Sequence, residues 1–165
     1  MKKISCLNFI ILSVIVIAVA SCNKDDDQVQ QEAWELEVEQ VKLATAQFIN
    51  FEEATNSGLI DVSGYVPNMG HHYLNPALVD GIFELEKPEI ILYVPDQDSV
   101  MQMEAVEYSI IPQDPDNPGS PPEGFTGDQD QWHFNEMVGQ WQLHVWTILE
   151  NPDGIFAPFN PDIGD

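Results

Sequence analysis

Apolar residues are arranged along this chain in three different ways, and each way predicts a different element. Leu7 to Ala20 is an almost unbroken apolar run. From Val29 to Thr55 the pattern is helical: Trp34, Val38, Val41, Ala44, Phe48 and Phe51 recur at steps of three and four. Glu35, Glu37, Glu39, Gln40 and Lys42 fall largely off that stripe. The helix is therefore expected to lay its aromatic face on a sheet and its acids in water. Asn56-Ser57-Gly58 supplies a stop.

After Gly58 the period shortens. Ser63-Gly64 and Pro67-Asn68 punctuate a stretch read as loop-rich, and Met69 to Leu74 follows, closed by Asn75-Pro76. Glu89 to Val94 reads as a buried strand. Met103 to Ile111 reads as a second, with Val106, Tyr108 and Ile110 on one side and Ala105, Glu107 and Ser109 on the other. Pro112 to Gln131, rich in Pro, Asp, Gly and Gln, is expected to be a long surface loop. Gln140 to Leu149 alternates Trp141, Leu143, Val145 and Thr147 against Gln142, His144, Trp146 and Ile148. Asn151-Pro152-Asp153-Gly154 is a turn, and the apolar tail Phe156 to Pro161 is expected to pack back. One helix followed by strands without helical crossovers predicts a single α+β domain over residues 29–165. In it one long N-terminal helix packs on a mainly antiparallel sheet.

The first apolar run has a separate meaning. Lys2 and Lys3 precede it, small residues end it, and it is shorter than the roughly 20 residues a membrane-spanning helix needs. Residues 1–21 therefore read as a secretory signal peptide. Val19-Ala20-Ser21-Cys22 resembles the lipobox of bacterial lipoproteins. The resemblance implies that Cys22 is acylated, becomes the first residue of the mature chain and ties it to a lipid bilayer. Residues 22–28 are then an acidic flexible tether. Its Lys24-Asp25-Asp26-Asp27 resembles the export signal of Bacteroidota surface lipoproteins, which implies an outer-membrane lipoprotein facing outward. The plainer alternative is an ordinary signal peptide with Cys22 incidental.

Charge and cysteine count narrow the chemistry. The chain has 28 acids against five basic residues, a formal charge of −23. Loss of Lys2 and Lys3 with the leader, and of no acid, deepens this to −25. Such a surface repels phosphate, so nucleic acid is excluded as a partner and membrane attachment falls to the acyl group. Of the two cysteines, Cys6 lies in the leader and Cys22 carries lipid. The mature domain keeps no thiol for a disulfide, a thiolate ligand or a nucleophile.

The block Met69-Gly70-His71-His72-Tyr73-Leu74-Asn75-Pro76-Ala77-Leu78-Val79-Asp80-Gly81 resembles one found in a widespread family of uncharacterised secreted bacterial proteins. Further blocks follow in the same order: Lys87-Pro88-Glu89 with Leu92-Tyr93, Val106-Glu107-Tyr108, Trp132-His133-Phe134, Leu143-His144-Val145-Trp146, and Asn151-Pro152-Asp153-Gly154-Ile155-Phe156 with Asn160-Pro161. The resemblance spans most of the mature chain and implies no established activity. The chain departs from it in doubling the first histidine and in lacking cysteines expected in relatives.

All four histidines, His71, His72, His133 and His144, lie in these blocks, and so does Glu107. Imidazole and carboxylate together suit one divalent transition metal: Zn²⁺, Cu²⁺, Ni²⁺ or Fe²⁺. Adjacent residues of a strand point to opposite faces, so only one of His71 and His72 faces a given cavity. The resemblance keeps a histidine directly before Tyr73, which selects His72. The candidate ligands are thus His72, His133, His144 and Glu107. The alternative leaves His144 a core residue beside Trp146 and Glu107 one more solvated acid. No Gly-x-Ser-x-Gly elbow surrounds Ser57, Ser63, Ser99, Ser109 or Ser120. No reaction is read from these residues. A second function class is a surface binding or accessory lipoprotein that recognises a glycan, peptide or partner protein through Trp132, Trp141 and Trp146.

Overall fold

The helical segment is interrupted, and a side chain shows why. The computed structural model describes residues 31–164. Helix α1 (Ala33–Thr45) starts where Glu35 Oε2 accepts the Glu32 N–H at 2.9 Å, which satisfies a donor left free at the helix start. It ends where the Thr45 hydroxyl bonds back to the Val41 carbonyl, and a 3₁₀ turn (Ala46–Ile49) follows. Asn50 then leaves helical geometry (φ −82°, ψ 107°), and its Oδ1 accepts the Glu52 N–H at 3.0 Å, capping a second helix, α2 (Phe51–Asn56). The long helix expected over Val29 to Thr55 is corrected to two short ones around that turn. Its first two residues lie outside the described ones, as do the signal peptide, Cys22 and the tether. Asn50→Ala is expected to destabilise the domain by about 1 kcal/mol, checked by urea unfolding.

Six strands follow: β1 (Ile60–Val66), β2 (Gly70–Leu74), β3 (Ile90–Pro95), β4 (Met101–Ile110), β5 (His133–Asn135) and β6 (Gln140–Val145). They form one antiparallel sheet in the order β1-β2-β3-β4-β6-β5, so β6 inserts between β4 and the edge strand β5. The fold is therefore α+β with an antiparallel sheet. Two strand expectations change. Ser63-Gly64 does not lie in a loop but inside β1, at a break in its register. The strand expected to reach Leu149 stops at Val145, because the Trp146 N–H leaves the ladder for the Ile155 carbonyl and its ring N–H bonds the Ala157 carbonyl. Between Ile110 and His133 the chain has no regular element, as expected. Phe125 buries itself in the core from that loop, and Glu37 of α1 accepts the N–H and hydroxyl of Thr126.

The sheet has two unlike faces. Val38, Val41 and Ala54 of the helices pack on Ile91, Tyr93, Val106, Tyr108, Leu143 and Val145. Phe156 of the tail joins this cluster, so the tail does pack back. Each large side chain buried there contributes on the order of 1.5–3 kcal/mol. The hydroxyls of Tyr93 and Tyr108 reach carbonyls of Phe48 and Leu85, so neither is left unsatisfied. The opposite face has a smaller apolar cluster, Ile90, Leu92, Ala105 and Trp146, with Met69, Leu74 and Ile163 against it. That smaller cluster leaves room on the same face for polar side chains.

Candidate metal centre

Register brings the polar residues together. Ile90 pairs with Glu107, and Glu107 with His144. His72 pairs with Leu92, and Leu92 with Ala105. Paired residues share a face, so His72 on β2, Glu107 on β4 and His144 on β6 all stand on the face away from the helices. His71 points to the other face, where its Nδ1 lies 2.9 Å from Asp61 Oδ2. The opposite-face expectation for the two adjacent histidines therefore holds.

His72 Nε2 lies 3.3 Å and His144 Nε2 lies 3.5 Å from the same oxygen, Glu107 Oε2. One ligand atom from each of the three residues falls within 4.8 Å of the others. The His72 and His144 rings are nearly perpendicular, with centroids 6.0 Å apart. His144 is held in place by two near-parallel neighbours, His133 at 5.8 Å and Trp146 at 6.3 Å between centroids. Glu107 is 0 % exposed, His144 1 % and His72 8 %, so the group is almost fully withdrawn from water.

Among the described residues neither oxygen of Glu107 and neither nitrogen of His144 has a hydrogen-bond partner. Leaving such groups buried and unpaired costs on the order of 1–3 kcal/mol each. Burial pushes the Glu107 carboxyl up from 4.5 to about 8, and nearby Glu89 adds to this. Burial pushes His72 down from 6.5 to about 4. Burial also holds His144 well below 6.5, helped by His72 and His133. These shifts disfavour an ion pair and favour two neutral imidazoles facing a protonated carboxyl, whose one O–H can serve only one of the two nitrogens.

A cation bound by one atom of each residue would satisfy Glu107 Oε2 and the two Nε2 atoms together. Two ligand atoms bound at about 2.0–2.1 Å by a tetrahedral ion stand about 3.3–3.5 Å from one another. The two separations from Glu107 Oε2 already have that length. Neutral imidazole is the form that binds metal, and the Glu107 carboxyl gives up its proton as an ion enters. The group can therefore hold a metal ion.

Three of the four expected ligands thus converge. His133 does not join them: its ring stacks beside His144, outside the set of atoms within 4.8 Å. Burial lowers His133 as well, with Gln142 opposing the shift. Ser63 is a residue that sequence reasoning missed: its Oγ lies 3.0 Å from His72 Nδ1. Of the three tryptophans considered for recognition, Trp146 is buried, while Trp132 and Trp141 are half-buried. Their ring N–H groups go to Ala157, Asp130 and Pro118 respectively, so these three build no exposed aromatic patch.

Fold and site together define an α+β domain with a buried group of two histidines and one carboxylate. Comparison of the chain with protein-family models, curated proteins and solved structures finds no match, so the site is read from its own geometry.

Proposed function

We propose that this protein is a membrane-tethered bacterial lipoprotein whose domain binds one divalent transition metal through His72, Glu107 and His144. The carrying observation is the convergence of two buried imidazole nitrogens on one buried carboxyl oxygen, whose single proton can serve only one of them. Zn²⁺ is the ion the separations suit best, since two histidines and a glutamate form a known zinc ligand set. Cu²⁺, Ni²⁺ and Fe²⁺ share the ligand preference. The acidic surface favours approach of any of these cations. The leader sequence supports a place at the outer membrane, held by lipid on Cys22. The described residues include no helix long and apolar enough to cross a membrane.

Residues 23–165, stripped with chelator and titrated with Zn²⁺, are expected to bind one ion per chain. His72→Ala and His144→Ala each remove a ligand and are expected to weaken binding by more than ~100-fold, beyond the loss from an outer partner. His133→Ala is expected to leave the stoichiometry intact. Substoichiometric metal, or binding indifferent to His144→Ala, contradicts the proposal. For the address, Cys22→Ser is expected to move the full-length protein from the membrane fraction to the soluble one, and continued membrane attachment contradicts it.

A further inference from the structure

We infer that Ser63 is the positioning residue that decides which nitrogen His72 offers, by holding its ring with the proton on Nδ1 and the lone pair on Nε2. The inference rests on the metal reading for its purpose, but the tautomer itself follows from hydrogen-bond geometry.

The break in β1 sets this up. Asp61 pairs with Tyr73 and Tyr65 with His71, so Val62, Ser63 and Gly64 all stand against the single residue His72. Gly64 takes φ +64°, a conformation most side chains avoid, and this lets the strand bulge. Asp61 holds the bulge: its Oδ1 accepts the N–H groups of Ser63 (3.1 Å) and Gly64 (2.9 Å), and its Oδ2 faces His71. The result turns the Ser63 hydroxyl onto His72.

That hydroxyl has one proton and two lone pairs. It donates the proton to the Gly64 carbonyl at 2.6 Å. One lone pair accepts the backbone N–H of His72 at 3.0 Å. Only a lone pair is left for His72 Nδ1, at 3.0 Å, so Nδ1 must be the donor there. A neutral imidazole carries one proton, so Nε2 is bare. Nε2 is the nitrogen 3.3 Å from Glu107 Oε2. The succession Ser63–His72–Glu107 has the order of a nucleophile, base and acid. The hydroxyl proton is committed to Gly64, however, and the serine does not offer it to the histidine.

Long-range ¹H–¹⁵N NMR of the metal-free protein reads the tautomer directly. The wild type is expected to show His72 protonated on Nδ1. Ser63→Ala is expected to show a mixture of tautomers and to weaken Zn²⁺ binding 10- to 100-fold, the range for loss of an outer partner of a metal-bound histidine. Ser63→Thr, which keeps the hydroxyl, is expected to restore both. His72 protonated on Nε2 in the wild type overturns the inference, whether or not the alanine variant folds. So does a Ser63→Ala protein with unchanged tautomer and affinity, or labelling of Ser63 by a fluorophosphonate, which would mark it as a nucleophile. If the Nδ1-protonated form is seen and no Zn²⁺ binds, the positioning role stands and the metal reading fails.

Discussion

Glu107→Gln is expected to abolish Zn²⁺ uptake while making the metal-free protein more stable. The two effects have one cause. Glu107 is 0 % exposed, and its carboxyl ionises only near pH 8 in the fold against 4.5 when free. The unfolded chain gives up that proton above pH 4.5 and the folded one holds it. The stability present below pH 4.5 is therefore lost as pH rises toward 8, at up to about 1.4 kcal/mol per pH unit, and then levels off. His72 and His144 have lowered values and act with the opposite sign, but only below 6.5. Glu89, raised to about 7 by burial, shares the sign of Glu107 and stops near neutrality. Between pH 7 and 8 the slope belongs chiefly to Glu107. Glutamine keeps the shape, cannot ionise, and can donate from its amide to His72 Nε2. Urea unfolding with chelator present is expected to show Glu107→Gln more stable than wild type by about 3 kcal/mol at pH 7 and about 4 kcal/mol at pH 8, because the variant lacks the Glu107 slope. A variant less stable than wild type there, or one that still binds Zn²⁺ stoichiometrically, contradicts this account.

Gly70→Ala is expected to be among the most damaging single-methyl changes in the domain. Gly70 opens β2 with φ +90°. A Cβ there would lie 2.6 Å from the Tyr93 carbonyl oxygen and 2.8 Å from a methyl of Val94. The oxygen belongs to the β3 backbone and cannot retreat without parting the two strands. The expected loss is about 3 kcal/mol, or a melting temperature lower by roughly 10 °C. Since His72 is two residues on, Zn²⁺ affinity should fall with it. Gly58→Ala is the control: φ is +98° there, but nothing lies within 4 Å of the added carbon. Its cost is expected to be only about 1 kcal/mol of backbone strain. Equal losses in the two variants would show that strain, not collision with β3, sets the effect.

Some of this structure is legible in the sequence because it is written at short range. Alternation alone puts Glu107 on the side away from Val106 and Tyr108, and separates His71 from His72. The helix break is not legible: Phe48 and Phe51 keep a helical spacing across a 3₁₀ turn, and the apolar stripe conceals the cap at Asn50. Strand β1 is concealed for the opposite reason. Asp61-Val62-Ser63-Gly64 reads as a turn because the strand contains a bulge built from turn residues. Convergence of the ligands is beyond local pattern, since it depends on which residue of β6 faces Glu107 across the ladder. A shift of two residues would have placed Gln142 there instead of His144. Residue type groups His133 with the other candidates, but its strand position leaves it stacked beside His144.

The strand order also dictates a sequence of events. His72 and Glu107 lie on β2 and β4, which a simple meander through β3 brings together. His144 arrives only when β6 inserts between β4 and β5, after the long loop beyond Ile110 has closed. Such late, non-local pairing is slow compared with the formation of neighbouring hairpins. An unfolded chain therefore presents no complete His72–Glu107–His144 group until β6 is seated. On the proposed reading metal capture follows that step, and the apolar face of the sheet carries the domain to that point.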